Sequence, residues 1–134
     1  AYLAHVYDDA VRGLRRWHEA GHPLYVYSSG SVAAQKLLFG HTTAGDLRPL
    51  FSGWFDTAIG GKREASSYRN LVAALGRPAS EIVFLSDVVE ELDAARAERL
   101  DTVLLDRRED YPVPRVGQAT NGHRRAENFT DILV

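Results

Sequence analysis

The fold is indicated most clearly by residues 82–87, which read Ile-Val-Phe-Leu-Ser-Asp. Four apolar residues in a row, followed by a serine and an aspartate, are typical of a buried strand in a parallel sheet and the loop after it. A similar pattern recurs at residues 102–106, Thr-Val-Leu-Leu-Asp, after a segment of helical character. A strand, a helix and a second strand in this order predict a parallel βαβ unit.

The rest of the chain continues this alternation. Helices are predicted over residues 8–20, 32–39 and 64–75, and a fourth from residue 89. Strands are predicted over residues 24–27, 54–57, 82–85 and 102–105. We expect Asp8 to cap the first helix and Arg99 to follow the fourth in a left-handed conformation. The segment from residue 107 is polar and is expected to stay irregular until a short terminal element at 129–134.

Composition excludes several classes of protein. The 134 residues are 45% hydrophobic and 25% charged, which is close to the average for a folded domain and excludes a disordered chain. Sixteen basic and eighteen acidic residues leave a net charge of −2, so we expect neither nucleic acid nor a membrane as partner. The chain has no cysteine, which excludes disulfides and thiolate metal sites.

A serine-rich turn follows the predicted strand at 24–27. Residues 28–31 read Ser-Ser-Gly-Ser and lead directly into a helix. Hydroxyl groups beside the free N–H groups of a helix N-terminus form a good site for a small anion. The alternative is that Ser31 only caps the helix and the other residues form a tight turn.

Asp87 follows the clearest strand, and Glu90 and Glu91 lie in the next turn. A carboxylate at the end of a strand, beside a second acid, is suited to Mg²⁺, which prefers oxygen ligands and keeps several waters. The alternative is that Asp87 caps the helix and that the glutamates only interact with its dipole.

Lys62 follows two glycines, just before the third helix. An ammonium group at such a junction can neutralise a phosphate, although most lysines are solvated surface residues. Arg124 and Arg125 are likewise expected to be solvated. Taken together, a hydroxyl, a lysine and a carboxylate at successive strand–helix junctions favour phosphoryl transfer, which depends on positioning and charge neutralisation.

Six runs of the sequence carry a family pattern, at residues 25–41, 53–57, 61–64, 67–69, 84–88 and 91–95. In these runs the chain resembles the haloacid dehalogenase superfamily and, within it, the enolase-phosphatases that form acireductone in methionine salvage. The resemblance implies a Rossmannoid three-layer α/β/α core with a mainly parallel sheet. It also implies a Mg²⁺-dependent hydrolase that converts 2,3-diketo-5-methylthiopentyl 1-phosphate to acireductone and phosphate.

The resemblance assigns a role to four residues. Ser28 and Ser29 are expected to bind the substrate phosphate. Lys62 is expected to pair with that phosphate and with the nucleophilic carboxylate, as a catalytic residue. Asp87 is expected to bind Mg²⁺. The resemblance assigns no role to Glu91.

One departure from the family pattern concerns the nucleophile. The family begins with a strand that ends in an Asp-x-Glu-Gly-Thr-like motif, and this sequence contains no such motif. The chain also begins with Ala1 and has no methionine. We therefore expect residues 1–134 to be the C-terminal portion of a core domain, without its cap domain and its central strand. Alone, this portion is expected to be inactive and to need a partner chain to fill its sheet.

Two alternative functions remain open from the sequence. One is another phosphatase of the same superfamily, acting on a different small organophosphate. The other is a non-catalytic phosphate-binding module. The resemblance and the lack of an export signal in this sequence also lead us to expect a cytoplasmic location and a monomeric full-length protein.

Overall fold

The computed structural model describes residues 7–132, which contain four α-helices and five β-strands. Close contacts divide the chain into two compact units, the first ending at Ala58 and the second beginning at Ile59. None of the described helices is long and apolar enough to cross a membrane.

The first unit contains two helices and a two-stranded parallel sheet. Its elements are α1 (Asp8–Glu19), β1 (Tyr25–Tyr27), α2 (Val32–Gly40) and β2 (Gly53–Phe55). β1 pairs with β2 so that Tyr25 lies opposite Gly53 and Tyr27 lies opposite Phe55. The predicted helices and strands of this unit are confirmed, with small shifts at their ends.

Aromatic side chains organise the first unit. The rings of Phe39, Phe51 and Trp54 form a cluster with centroids 5.0–5.5 Å apart, which packs α2 against β2. A Cβ atom at Gly53 would lie 2.9 Å from the ring of Tyr25, so a side chain at this position would force the ring to move. Tyr25 is itself 42% exposed, so the strand that its apolar sequence predicts to be buried is only partly covered.

The N-terminus of α1 differs from the prediction. Asp8 is the first residue of the helix, and Tyr7 occupies the N-cap position without a side-chain hydrogen bond. The prediction that Asp8 caps the helix is therefore wrong. Asp8 and Asp9 lie in the first turn, where carboxylates interact favourably with the positive end of the helix dipole.

The second unit contains two helices and a three-stranded parallel sheet. Its elements are α3 (Ala65–Leu75), β3 (Val83–Ser86), α4 (Val89–Ala97), β4 (Asp101–Leu105) and β5 (Arg124–Ala126). The strand order is β3-β4-β5, which confirms the predicted parallel βαβ unit. Tyr68, Leu92 and Leu104 are completely buried between the helices and the sheet.

β5 is a strand that the sequence pattern does not predict, because two arginines interrupt its apolar character. Arg124 forms an exposed ion pair with Asp101 at 2.9 Å. Arg125 binds the buried carboxylate of Asp106 at 2.7 Å. The expectation that both arginines are solvated surface residues is therefore wrong for Arg125.

The five described strands form two sheets, with β1 and β2 in one and β3, β4 and β5 in the other. Among these strands, β1 pairs with β2 and β3 pairs with β4. Each of β1 and β3 therefore has a second edge to which no described strand is hydrogen-bonded. The absence of a central strand from this chain stays a prediction, and these edges are compatible with it.

Arg99 ends the fourth helix in the left-handed conformation that the sequence predicts, with φ +69°. Because a side chain is disfavoured there, Arg99→Gly is expected to raise the free energy of unfolding of the whole protein by about 1 kcal/mol. Denaturant unfolding measures this difference. Arg99→Ala is the control, since it removes the same side chain beyond Cβ but keeps the strain. An equal gain in both variants would contradict the conformational explanation.

Candidate functional site

The serine-rich turn joins β1 to α2 in the first unit. Ser31 caps α2, because its hydroxyl oxygen accepts a hydrogen bond from the Ala34 amide at 3.1 Å. The Ser28 hydroxyl oxygen accepts one from the Gly30 amide at 3.2 Å, which tightens the turn. Ser29 is exposed. Both Ser28 and Ser29 therefore keep a hydroxyl proton that can be donated to an anion.

Asp56 and Gln35, for which the sequence predicts no role, support this turn. The Asp56 carboxylate accepts hydrogen bonds from the amides of Val32 at 3.3 Å and Ala58 at 2.8 Å. The N–H group of Val32, at the start of α2, is therefore bound by Asp56 and is not free for the predicted anion. Gln35 is buried, and its side-chain amide donates to the carbonyls of Gly30 at 2.9 Å and Phe55 at 2.7 Å.

Lys62 forms an ion pair in the second unit. Its ammonium group lies 2.9 Å from the Glu91 carboxylate, and the Ser86 hydroxyl donates to the same carboxylate oxygen at 3.0 Å. The side chain of Lys62 is 28% exposed and that of Glu91 is 11% exposed, so this pair is partly withdrawn from water. Lys62 is therefore held in place and is not a freely solvated surface lysine.

The turn that carries Lys62 is fastened to α3. The Ser67 hydroxyl donates to the carbonyl of Gly61 at 2.6 Å, and the Tyr68 hydroxyl donates to that of Lys62 at 2.5 Å. Gly60 has φ +131°, and a Cβ atom there would lie 2.1 Å from the Ser67 hydroxyl. The glycine is therefore required by both its backbone conformation and its close contact with α3.

Asp87 lies directly after β3 and is exposed. One of its carboxylate oxygens, Oδ2, accepts a hydrogen bond from the Tyr111 hydroxyl at 2.9 Å. Its backbone carbonyl accepts one from the Arg115 guanidinium at 2.6 Å. Val88, and not Asp87, is the N-cap residue of α4. The alternative in which Asp87 serves as a helix cap is therefore wrong.

The exposed carboxylate of Asp87 is the candidate metal ligand at the end of β3. Within 7–132, no group of three His, Asp or Glu side chains converges to hold a cation. Glu91, the second acid near Asp87 in the sequence, is engaged by Lys62 and Ser86. Mg²⁺ commonly uses one or two protein carboxylates and completes its shell with water and substrate oxygens. The exposed carboxylate of Asp87 fits one such ligand but is not a complete site.

Tyr111 and Arg115 belong to the loop that follows β4. Burial, followed by the hydrogen bond to Asp87, raises the pKa of Tyr111, so its hydroxyl stays protonated and donates to the carboxylate. The Arg115 guanidinium lies 3.6 Å from the centre of the Tyr111 ring, within the range of a cation–π contact. These two side chains were not predicted, because their link to Asp87 spans more than twenty residues of sequence.

Asp106 anchors this loop at the end of β4. Its buried carboxylate accepts hydrogen bonds from Arg108 at 2.5 Å, Arg115 at 2.8 Å and Arg125 at 2.7 Å. Burial alone would raise the pKa of Asp106, but the three guanidinium groups outweigh it and hold the pKa far below its usual value. Asp106 is therefore ionised in the folded protein at all ordinary pH values.

Two of the four predicted site residues, Lys62 and Asp87, lie in the second unit. Lys62 pairs with Glu91, which binds Ser86 at the end of β3, and Asp87 is the residue after Ser86. Ser28 and Ser29 lie in the first unit, at the end of β1. Glu91 is the third residue of α4, in the first turn after β3, and this closeness in sequence to Ser86 is the available signal for their contact.

Comparison with known proteins identifies relatives over nearly the whole chain. Residues 1–98 match the protein family described as haloacid dehalogenase-like hydrolase. The chain is 68% identical over 133 residues to "Enolase-phosphatase E1" of Stenotrophomonas maltophilia strain K279a, which covers 99% of this chain and 58% of that protein. The chain therefore spans a little more than half the length of this relative.

Solved structures share the fold. The UTR4 protein of Saccharomyces cerevisiae is 35% identical with a TM-score of 0.82, over 98% of this chain and 58% of that one. An L-2-haloacid dehalogenase is 19% identical with a TM-score of 0.77, over 95% of this chain and 54% of that one. At that identity the second likeness shows the fold alone.

Loss of the Asp106 carboxylate is expected to destabilise the protein in a pH-dependent way. Asp106→Asn leaves three arginines without their shared partner, so the free energy of unfolding at pH 7 should fall by about 3 kcal/mol. The pKa of Asp106 is lowered by folding, so its contribution is present above the unfolded pKa and is lost as pH falls below about 4.

Urea unfolding of the whole protein at several pH values measures this effect. The difference between the wild type and Asp106→Asn should shrink as the pH falls below about 4. Asp101→Asn is the matched control, because its ion pair with Arg124 is exposed and should contribute less than about 1 kcal/mol. A difference that stays constant with pH would contradict the assigned role of the carboxylate.

Proposed function

The chain belongs to the haloacid dehalogenase-like hydrolase family, and from this premise we propose that the protein is a Mg²⁺-dependent phosphatase of the enolase-phosphatase type. Its substrate would be 2,3-diketo-5-methylthiopentyl 1-phosphate, and its products acireductone and phosphate, within methionine salvage. The similarity to "Enolase-phosphatase E1" supports this choice among phosphatases. A cytoplasmic location and a monomeric whole protein form part of the proposal.

The observation that carries the proposal is the ordered ion pair between Lys62 and Glu91. A lysine held at 2.9 Å from a nearly buried glutamate has a fixed position, which is what neutralisation of a phosphoryl group requires. Glu91 is itself fixed by the Ser86 hydroxyl, which donates to the same carboxylate oxygen at 3.0 Å. Glu91 is therefore assigned to positioning Lys62.

The remaining roles follow the family resemblance. Ser28 and Ser29 donate hydroxyl hydrogen bonds to the substrate phosphate, and Lys62 supplies the positive charge. Asp87 would hold Mg²⁺, which when bound supplies further positive charge to the phosphoryl group. The sequence contains no Asp-x-Glu-Gly-Thr-like motif, so the proposal places the phosphoryl-accepting carboxylate outside residues 1–134. The 134 residues alone are accordingly proposed to be inactive.

The test of the proposed activity uses the whole protein and the diketo phosphate. Inorganic phosphate and the ultraviolet absorbance of acireductone are both followed, with Mg²⁺ and with a chelator. Formation of both products only with Mg²⁺ is the expected result. Phosphate release from other small phosphate esters, without acireductone formation, would favour another phosphatase. Phosphate binding without turnover would favour a non-catalytic module.

Lys62→Ala is expected to lower kcat by about 10²–10³, because the developing charge on the phosphate loses a fixed cation. The matched control is Lys36→Ala, which removes the chain's other lysine from an exposed position on α2. Steady-state kinetics and thermal unfolding of each variant separate catalysis from folding. A Lys62→Ala protein that is folded and fully active would contradict the assignment.

Glu91→Gln is expected to lower kcat less than Lys62→Ala does, because a neutral amide can still accept hydrogen bonds from Lys62 and Ser86. Steady-state kinetics of both variants, with thermal unfolding to check folding, measure this difference. A folded Glu91→Gln protein with an unchanged kcat would contradict the positioning role.

A further inference from the structure

The loop after β4 contacts Asp87 through two side chains. The Tyr111 hydroxyl donates to carboxylate oxygen Oδ2 of Asp87 at 2.9 Å and lies 3.3 Å from its carbonyl oxygen. The Arg115 guanidinium donates to the same carbonyl at 2.6 Å. The loop therefore binds both the backbone and the side chain of Asp87, through Tyr111 and Arg115.

Arg115 is itself fixed by several contacts at the end of β4. Its Nε donates to Asp106 at 2.8 Å, and its backbone amide donates to the other oxygen of that carboxylate at 2.9 Å. A terminal guanidinium nitrogen donates to the carbonyl of Leu105 at 2.7 Å. Every nitrogen of the guanidinium group thus has an acceptor, and the contact with Asp87 uses one of them. The position of Arg115 is consequently set by the sheet.

Tyr111 is fixed from two sides. Its ring lies against the Arg115 guanidinium at 3.6 Å, and its carbonyl accepts a hydrogen bond from Arg108 at 2.9 Å. Arg108 in turn binds Asp106. The buried carboxylate of Asp106 therefore determines the position of the Tyr111 hydroxyl through two arginines.

The arrangement leaves one carboxylate oxygen of Asp87 available. Oδ2 accepts the Tyr111 hydrogen bond, whereas Oδ1 accepts none from the residues that the structure describes. Asp87 is exposed, so without Tyr111 its side chain would be free to rotate in solvent. A carboxylate held by one oxygen presents the other in a fixed direction.

We propose that Tyr111 and Arg115 are positioning residues that orient Asp87 for binding a divalent cation. The inference rests on the proposed function, in which Asp87 is a Mg²⁺ ligand. Groups that hydrogen-bond to a ligand in this way commonly change metal affinity by about 10-fold to 100-fold when they are removed. Here the hydrogen bond comes from Tyr111. Arg108 and Arg115, both bound to Asp106, hold this tyrosine in place.

The experiment measures Mn²⁺ binding to the whole protein by electron paramagnetic resonance, without substrate. Tyr111→Phe is expected to raise the Kd for Mn²⁺ by about 10-fold, since it removes only the hydroxyl that holds Oδ2. Arg115→Lys is expected to raise it at least as much, because lysine cannot reach Asp87, Asp106 and Leu105 together. Thermal unfolding of the metal-free Tyr111→Phe protein should match the wild type within about 2 °C.

Matched variants control for the loss of a hydroxyl and of a guanidinium. Tyr25→Phe removes the hydroxyl of an exposed tyrosine, and Arg69→Lys alters an exposed ion pair with Glu98. Both should bind Mn²⁺ as the wild type does. Equal losses of affinity in these controls and in the Tyr111 and Arg115 variants would overturn the inference.

Asp87→Asn separates this inference from the proposed function. If Asp87→Asn abolishes Mn²⁺ binding while Tyr111→Phe and Arg115→Lys bind normally, the positioning role is overturned and the metal assignment stands. If Asp87→Asn binds Mn²⁺ normally, the metal assignment in the proposed function is overturned, and the positioning role with it. Loss of binding in Asp87→Asn, with weakened binding in both loop variants, supports both.

Discussion

The buried carboxylate of Asp106 is the constraint on which much of the second unit depends. A single ionised side chain, excluded from water at the end of β4, is neutralised by guanidinium groups that come from three different places in the chain. A charge in that position is tolerated only when its oxygens are fully hydrogen-bonded, so the three arginines must converge on it. Their convergence brings β5 alongside β4 and folds the loop between them back over the end of the sheet.

This constraint reaches the candidate site in two steps. Arg115 extends from Asp106 to the backbone of Asp87, and Tyr111 extends from Arg115 to the carboxylate. A second polar network, formed by Lys62, Glu91 and Ser86, lies at the same end of β3. Residue Ser86 ends β3 and Asp87 follows it, so the two networks meet along two consecutive residues. The ammonium group of Lys62 and the carboxylate of Asp87 are therefore both tied to the end of one strand, where parallel sheets commonly bind ligands.

The agreement between sequence and structure is best where local pattern decides the result. The strand at residues 82–85 and the helix of 64–75 are confirmed because a short apolar run and a helical spacing of apolar residues each need only neighbours in sequence. The left-handed Arg99 is confirmed for the same reason. The strand β5 is not predicted, since the arginines in it are stabilised by Asp101 and Asp106, about twenty residues earlier. The roles of Tyr111, Arg115 and Gln35 were missed for the same kind of reason.

The sequence by itself determined the alternation of strands and helices, the glycine-containing turns and the four residues Ser28, Ser29, Lys62 and Asp87 as candidates. These depend on residue types and spacing, which act over a few residues. The tertiary structure alone decided that Glu91 forms an ion pair with Lys62, that Asp87 accepts a hydrogen bond from Tyr111 and does not cap α4, and that Arg125 is bound to a buried carboxylate. The physical reason is that the partner of a charged side chain depends on distance and burial in the folded protein. Neither can be derived from the spacing of residues along the chain.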